Sequence, residues 1–369
     1  MESLEAVGQR VAAARAAQGL TQTQVAERAG LERSALAKIE RGQRQLSAVE
    51  LARLAGALSR PLDWFVRESP PAVVSRRGEA TGAGAQAQID LLIDQAARDV
   101  ELLLELGLLR TSEWPRRRLP PSLSSAAEEA RRVREQLDVG DEPLDDLLAV
   151  AERLGLHGFS HIVDADGFDG AYVALEGAGV AVVNGVHPSG RRRFTLAHEL
   201  GHHLFADAYA TDWAVWDGAA ESERVVNAFA ANLLLPRGIV RNRWERLGDE
   251  DDIRSAAIAL GIEYRLSWSA LCAQLRNCGV IDQGQLSRLL ATPPRRAEYL
   301  ELGRFPVQEL EPPAVSPAYA KAVLKGYRSA RLGGFRTVEL LRGTVTLEDL
   351  PDLRLLPIES LYSEFGSPL

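Results

Sequence analysis

The stretch His198-Glu199-Leu200-Gly201-His202 sets two imidazoles four residues apart with a carboxylate between them. On a helix, positions i and i+4 project from one face, so the two histidines can share one metal ion. Glu199 then lies beside the remaining coordination position, where it can take a proton from water. The preceding Arg192-Arg193-Phe194-Thr195-Leu196-Ala197 and the following His203-Leu204-Phe205 form an amphipathic run that predicts a helix through the motif. All six histidines fall between positions 157 and 203, but clustering does not make each a ligand. His157, His161 and His187 read as loop or strand-end residues. His203 follows His202 directly and on a helix points about 100° away, so it reads as a non-ligand.

Histidines four apart also occur on ordinary helices, and a catalytic zinc site needs a third protein ligand with a fourth position left open. The run Glu221-Ser222-Glu223-Arg224-Val225-Val226-Asn227-Ala228-Phe229 supplies a candidate. Glu223 and Asn227 share a helix face while Val226, Phe229, Ala230 and Leu233 pack beneath. Glu223 can coordinate the ion, and Asn227 can accept a hydrogen bond from a ligating histidine. Glu221 competes as ligand, although two residues away it faces nearly the opposite side.

The chain around this motif has 369 residues, too many for one core and enough for two or three domains. With 46% hydrophobic and 25% charged residues it has the composition of a globular protein, and no apolar run is long enough to span a bilayer. The polar amphipathic N-terminus does not resemble a signal peptide, so a cytoplasmic location is expected. Two cysteines, Cys272 and Cys278, read as reduced core thiols. A net charge of −8 argues against a protein that coats nucleic acid with its whole surface. Residues 1–68, however, carry ten Lys/Arg against eight Asp/Glu, a locally basic module on an acidic body.

Within that module Thr21 and Gln24 form the signature of a capped helix that closes at Gly30, and a second short helix runs from Glu32 to Glu40 and stops near Gly42. Val25, Ala29, Leu36 and Ile39 supply the contacts between them, a helix-turn-helix pattern whose second helix enters the major groove. From Val7 to Phe65 the segment resembles the Xre/phage-repressor family, through Leu20-Thr21-Gln22, Leu31-Glu32-Arg33-Ser34, Ile39-Glu40-Arg41-Gly42 and the helix Leu51–Leu58. The resemblance implies that Glu32, Arg33, Ser34 and Lys38 face bases of double-stranded DNA, while Gln22, Arg41 and Arg44 meet phosphates or the groove edge. Arg33 can donate two hydrogen bonds to guanine. Glu32 departs from the usual neutral residue and can repel phosphate.

Ser69-Pro70-Pro71 ends the module, and Gly78–Ala87 reads as a flexible tether. Gln88–Leu109 carries an apolar helical stripe through Ile89, Leu92, Ile93, Ala96, Val100, Leu103, Leu104 and Leu108, which either packs on its own chain or makes a homodimer contact. Arg116-Arg117-Arg118 reads as a solvated linker. A helix-rich pattern resumes at Ser124, and Ala171–Leu175 and Val180–Asn184 read as strands. After Pro293-Pro294, Ala318–Arg331 reads as a helix, and Val338–Leu341 and Thr344–Leu347 as short strands or helix ends.

Arg193-Phe194-Thr195-Leu196-Ala197-His198-Glu199-Leu200-Gly201-His202, taken with Glu223, Asn227, Phe229-Ala230, Leu233-Leu234 and Pro236, closely resembles the ImmA/IrrE metallopeptidase family over roughly Ser124–Leu290. The resemblance implies a gluzincin-like fold, His198, His202 and Glu223 as ligands of one Zn2+ per chain, Glu199 as general base and Asn227 as a partner of the ligands. It also implies a protein substrate of the repressor-regulator type, cleaved in stress or mobile-element control. A donor for the tetrahedral oxyanion is needed; Tyr172, His203 and Tyr209 are candidates.

The expected fold is α+β and mostly α. A helix-turn-helix domain (1–68) precedes a linker and helix (69–123), a metallopeptidase domain (124–290) and a C-terminal accessory segment (291–369). The expected function is that of a DNA-binding zinc metalloendopeptidase with no membrane partner. Two alternatives stand beside it: a transcription factor whose zincin domain senses a metal or ligand, and the antitoxin or repressor of a two-gene system.

Overall fold

The computed structural model describes residues 3–353, apart from 59, 61, 67–72, 78–82, 113, 115, 165–166, 206–218 and 248–252. Four short helices open the chain: α1 (Leu4–Ala17), α2 (Gln22–Ala29), α3 (Arg33–Glu40) and α4 (Ala48–Ala57). Thr21 caps α2 in a reciprocal box with Gln24, and Gly30 ends it in the left-handed region at φ 64°. α3 starts one residue later than the sequence predicts, because Glu32 is its N-cap and makes no capping bond. A Cβ at Gly8 would lie 2.2 Å from the Ile39 carbonyl oxygen, so only glycine permits this crossing of α1 on α3. Val11, Val25, Leu36, Ile39, Leu54 and Phe65 fill the core of this bundle.

β1 (Val73–Arg77) and α5 (Ala83–Glu105) follow. The described part of the predicted tether, 83–87, is thus the first turn of α5 rather than coil; the rest lies outside the described residues. Next come α6 (Leu123–Gln136), α7 (Leu147–Arg153), β2 (Leu156–His161), β3 (Gly170–Leu175), β4 (Ala178–Asn184), α8 (Ser189–Leu204) and α9 (Ala219–Leu234). A helical subdomain then comprises α10 (Arg237–Glu245), α11 (Ile253–Glu263), α12 (Trp268–Asn277) and α13 (Gln283–Ala291), and buries both free thiols. The chain continues through α14 (Arg296–Glu301), β5 (Ala314–Val315), α15 (Pro317–Arg328) and α16 (Gly334–Leu340). Residues 338–340 are therefore helical, and 344–347 form no strand. The architecture is α+β and mostly helical, as expected from the sequence.

Among the described residues five strands form one sheet, in the order β1-β3-β4-β2-β5. β2 runs parallel to β4, and the other pairs are antiparallel. Side chains alternate between two cores, as the pleat requires. Tyr172, Ala181 and Val183 face α6–α9, whereas Ala171, Val173, Val180 and Val182 face α5, α15 and α16.

Most of the α5 stripe packs on its own chain. Ile89, Ile93, Ala96, Val100 and Leu103 are fully or almost fully buried on the chain's own sheet, while Leu91 enters the helix-turn-helix core. Each such Ile, Val or Leu side chain gains about 1.5–3 kcal/mol from burial, so this part of the stripe packs within the chain, with Leu92 and Leu104 partly buried against the same core. Arg117 also departs from the solvated-linker reading: it pairs with Glu129, its amide donates to the Leu204 carbonyl, and it stacks over Trp114.

The motif helix α8 is held by distant sequence. Arg193 is wholly buried, pairs with Glu309 and donates to the Leu144 carbonyl at 2.8 Å. Glu309 in turn accepts from the Leu147 amide at 2.7 Å. The C-terminal segment thereby fixes α7 and α8 on the sheet.

Candidate metal centre and nucleic-acid face

α8 carries His198 and His202 one turn apart, with ring nitrogens Nε2 separated by 3.0 Å. α9 crosses it closely because position 201 is glycine: a Cβ there would lie 2.8 Å from Val226 Cγ1. The close crossing brings Glu223 to the two rings, with carboxylate oxygens 3.2 Å from His198 Nε2 and 3.3 Å from His202 Nε2. Both histidines are buried, whereas the Glu223 side chain is 35% exposed and opens the site to one side. Among the described residues this is the group of histidines and acidic side chains whose ligand atoms converge closely enough to hold a metal.

The donor set fits the zinc that the sequence implies. At Zn–N and Zn–O bonds of about 2.0–2.2 Å, two ligands of a tetrahedral ion lie roughly 3.3–3.5 Å apart, close to the separations found. His198 Nδ1 is 3.1 Å from Asn227 Oδ1, which places the ring proton on Nδ1 and turns the Nε2 lone pair toward Glu223. Burial lowers the His198 pKa below the ordinary histidine value and so disfavours a second proton there. A divalent cation answers all three donors at once. Glu221, the competing ligand, lies on the surface and pairs with Arg224 at 2.9 Å. Asn227→Ala is expected to weaken metal affinity about 10–100-fold with the fold unchanged, as measured by chelator competition; unchanged affinity would remove Asn227 from the site.

Glu199 sits on the same turn between the histidines and is fully buried. Gly170, the first residue of β3, faces it: a Cβ there would be 3.5 Å from Glu199 Oε1 and 2.5 Å from Thr195 Cγ2. Two of the oxyanion candidates are occupied elsewhere. Burial pushes the His203 pKa down to about 4, leaving a neutral ring with Nε2 3.0 Å from the Leu154 carbonyl. Its Nδ1 is 3.0 Å from the Tyr172 hydroxyl, so tyrosine donates and both groups are spent on the core. Tyr209 lies outside the described residues. His157 and His161 lie in β2, and His187 pairs with Asp169 at 2.9 Å. Sequence reading missed Arg77, Asp169 and Arg191, which gather beside this site; only the position of Arg191 just upstream of the motif hinted at them.

In the N-terminal bundle, Arg33, Ser34 and Lys38 of α3 are exposed, as are Glu32 and Arg41 on its flanks. Gln22 donates to Glu40 at 2.8 Å, and Arg44 pairs with Glu50 at 2.7 Å, so these two are already engaged within the chain.

Residues 11–65 match the helix-turn-helix family model, and residues 152–276 match the peptidase family model described as the IrrE N-terminal-like domain. The high-resolution crystal structure of the restriction-modification controller protein C.AhdI from Aeromonas hydrophila is 40% identical over 17% of this chain and 94% of its own, with a TM-score of 0.17. No curated protein matches the chain.

Proposed function

We propose that this chain, which carries a helix-turn-helix domain and an IrrE N-terminal-like domain, is a DNA-binding zinc metalloendopeptidase acting on a protein substrate. The observation that carries the reading is the convergence of His198, His202 and Glu223 beside the buried carboxylate of Glu199. His198, His202 and Glu223 would hold zinc, which when bound would supply the Lewis acidity that acidifies water and polarises a carbonyl. Asn227 fixes the His198 ring through Nδ1. Glu199 accepts the proton of the attacking water and returns it to the leaving amine. A purely structural metal site has no need of such a base. The division into domains at 1–68, 69–123, 124–290 and 291–369, the cytoplasmic location and a regulator-type substrate in stress or mobile-element control belong to the same proposal. The test is to incubate the zinc-loaded chain with the proteins encoded beside its gene and to map new termini by mass spectrometry. Absence of any new terminus, with metal bound, removes the peptidase half.

The DNA half rests on the exposed face of α3. Arg33→Ala is expected to cost about 1–3 kcal/mol and to relax preference at one base, whereas Arg41→Ala weakens binding to all sequences and flattens its salt dependence. Fluorescence titrations against varied duplexes at several salt concentrations read both. No affinity even at low salt would assign the module to protein contacts instead.

A further inference from the structure

Beside Asn227 an open groove of about 580 Å³ runs along α8, α9 and α12. Ala228 and Ala231 of α9 and Ala270 and Ala273 of α12 line it with small apolar groups, leaving room for a chain to lie down. Its rim is cationic, with Arg77 from β1, Arg191 from α8 and Arg224 from α9. Arg224 is answered by Glu221 at 2.9 Å. Arg77 and Arg191 share a single carboxylate: Asp169 lies 3.4 Å from Arg77 Nε and 2.7 Å from Arg191 Nη2, and takes His187 as well. Two guanidiniums against one carboxylate leave a surplus positive charge, in a chain whose net charge is −8.

The Arg77 guanidinium lies over the Phe194 ring, 4.8 Å from its centroid, which holds its plane one helical turn before His198. Its Nη1 is buried and has no hydrogen-bond acceptor among the described residues. Glu199 and Glu223 are within electrostatic reach of Arg77, but Glu223 is directed at the histidines.

We propose that this groove binds an acidic segment of the protein substrate, an Asp or Glu side chain accepting hydrogen bonds from Arg77 and Arg191 while small neighbours lie over the alanines. The proposal rests on the peptidase reading and gives that site its substrate chemistry. A carboxylate is the fitting ligand because planar guanidinium donors match its two oxygens. Arg77 comes from outside both family matches, 11–65 and 152–276, so the segment between the two domains takes part in substrate choice.

The test uses the full zinc-loaded chain carrying Glu199→Gln, titrated by fluorescence anisotropy with two labelled peptide pools that differ only in Glu or Gln at one central position. The Glu pool is expected to bind about tenfold tighter. Arg191→Gln, at a half-exposed position, and Arg77→Gln are each expected to cut that preference to less than about twofold. Arg131→Gln, an exposed arginine on α6 outside the groove, keeps it. Equal binding of the two pools, or a preference that survives both groove substitutions, overturns the proposal. Cleavage by the parent chain is scored separately. Cutting without acidic preference removes the groove proposal and leaves the peptidase, whereas acidic preference in binding without cutting does the reverse.

Discussion

Glu199→Gln should abolish peptide cleavage while leaving metal content, fold and DNA binding as in the parent. The carboxylate is fully buried on the turn between the two histidines and is not one of the three converging donors. Its amide replacement has nearly the same shape, so the buried position beside Gly170 can hold it. An amide cannot accept the proton of water, and the loss is expected to reach at least about 10²–10⁴-fold in kcat, the range for a general base. Two readouts are needed, cleavage of an identified substrate and zinc content of the same preparation. In cells the variant should also fail to release genes controlled by proteolysis. If Glu199→Gln regulates them as the parent does while His198→Ala does not, the metal serves sensing or structure, and the enzymatic reading is lost.

Glu223→Ala should strip the centre of its only anionic ligand and lower zinc affinity beyond the roughly 10–100-fold attached to a supporting residue such as Asn227. The parent should hold near-equimolar zinc, since the triad is the group that converges among the described residues. Its pH dependence follows from burial. Ligating histidines must be neutral, and burial holds the His198 pKa below the ordinary histidine value. Protonation of His198 therefore competes only as pH falls below the ordinary histidine range, so the contribution of that ring to zinc retention should stay flat through about pH 6.5, where an exposed histidine titrates. Metal analysis after dialysis across a pH series measures this. Full zinc in Glu223→Ala, or half-loss already at the ordinary histidine pKa, contradicts the assignment.

The local parts of this molecule were legible in its residues, and for a definite reason. A helix repeats its directions every few residues, so His198 with His202, and Glu223 with Asn227, declare shared faces without knowledge of the fold. Capping is equally local: Thr21 with Gln24, and Gly30 in the left-handed region, mark α2 from a dozen residues. The strands β3 and β4 also showed as apolar runs, whereas β2, with two histidines and a glycine among its six residues, did not.

Long-range pairing had no such signature. The stripe on α5 announces burial but not its partner, and only the tertiary structure assigns it to the sheet and lends Leu91 to the N-terminal bundle. β1 carries no pattern that selects β3 as its neighbour. Arg193 meets Glu309 across more than a hundred residues, because a buried guanidinium must find its carboxylate wherever the chain brings one. The same holds for Arg77, Asp169 and Arg191, scattered in sequence and joined only where β1 lies along β3. Sequence by itself determined the helix that carries His198 and His202 and the helix-turn-helix pattern, since both are set by neighbours a turn away. The surroundings of the metal site, and the charge of the groove beside it, were decided by contacts between residues far apart in the chain.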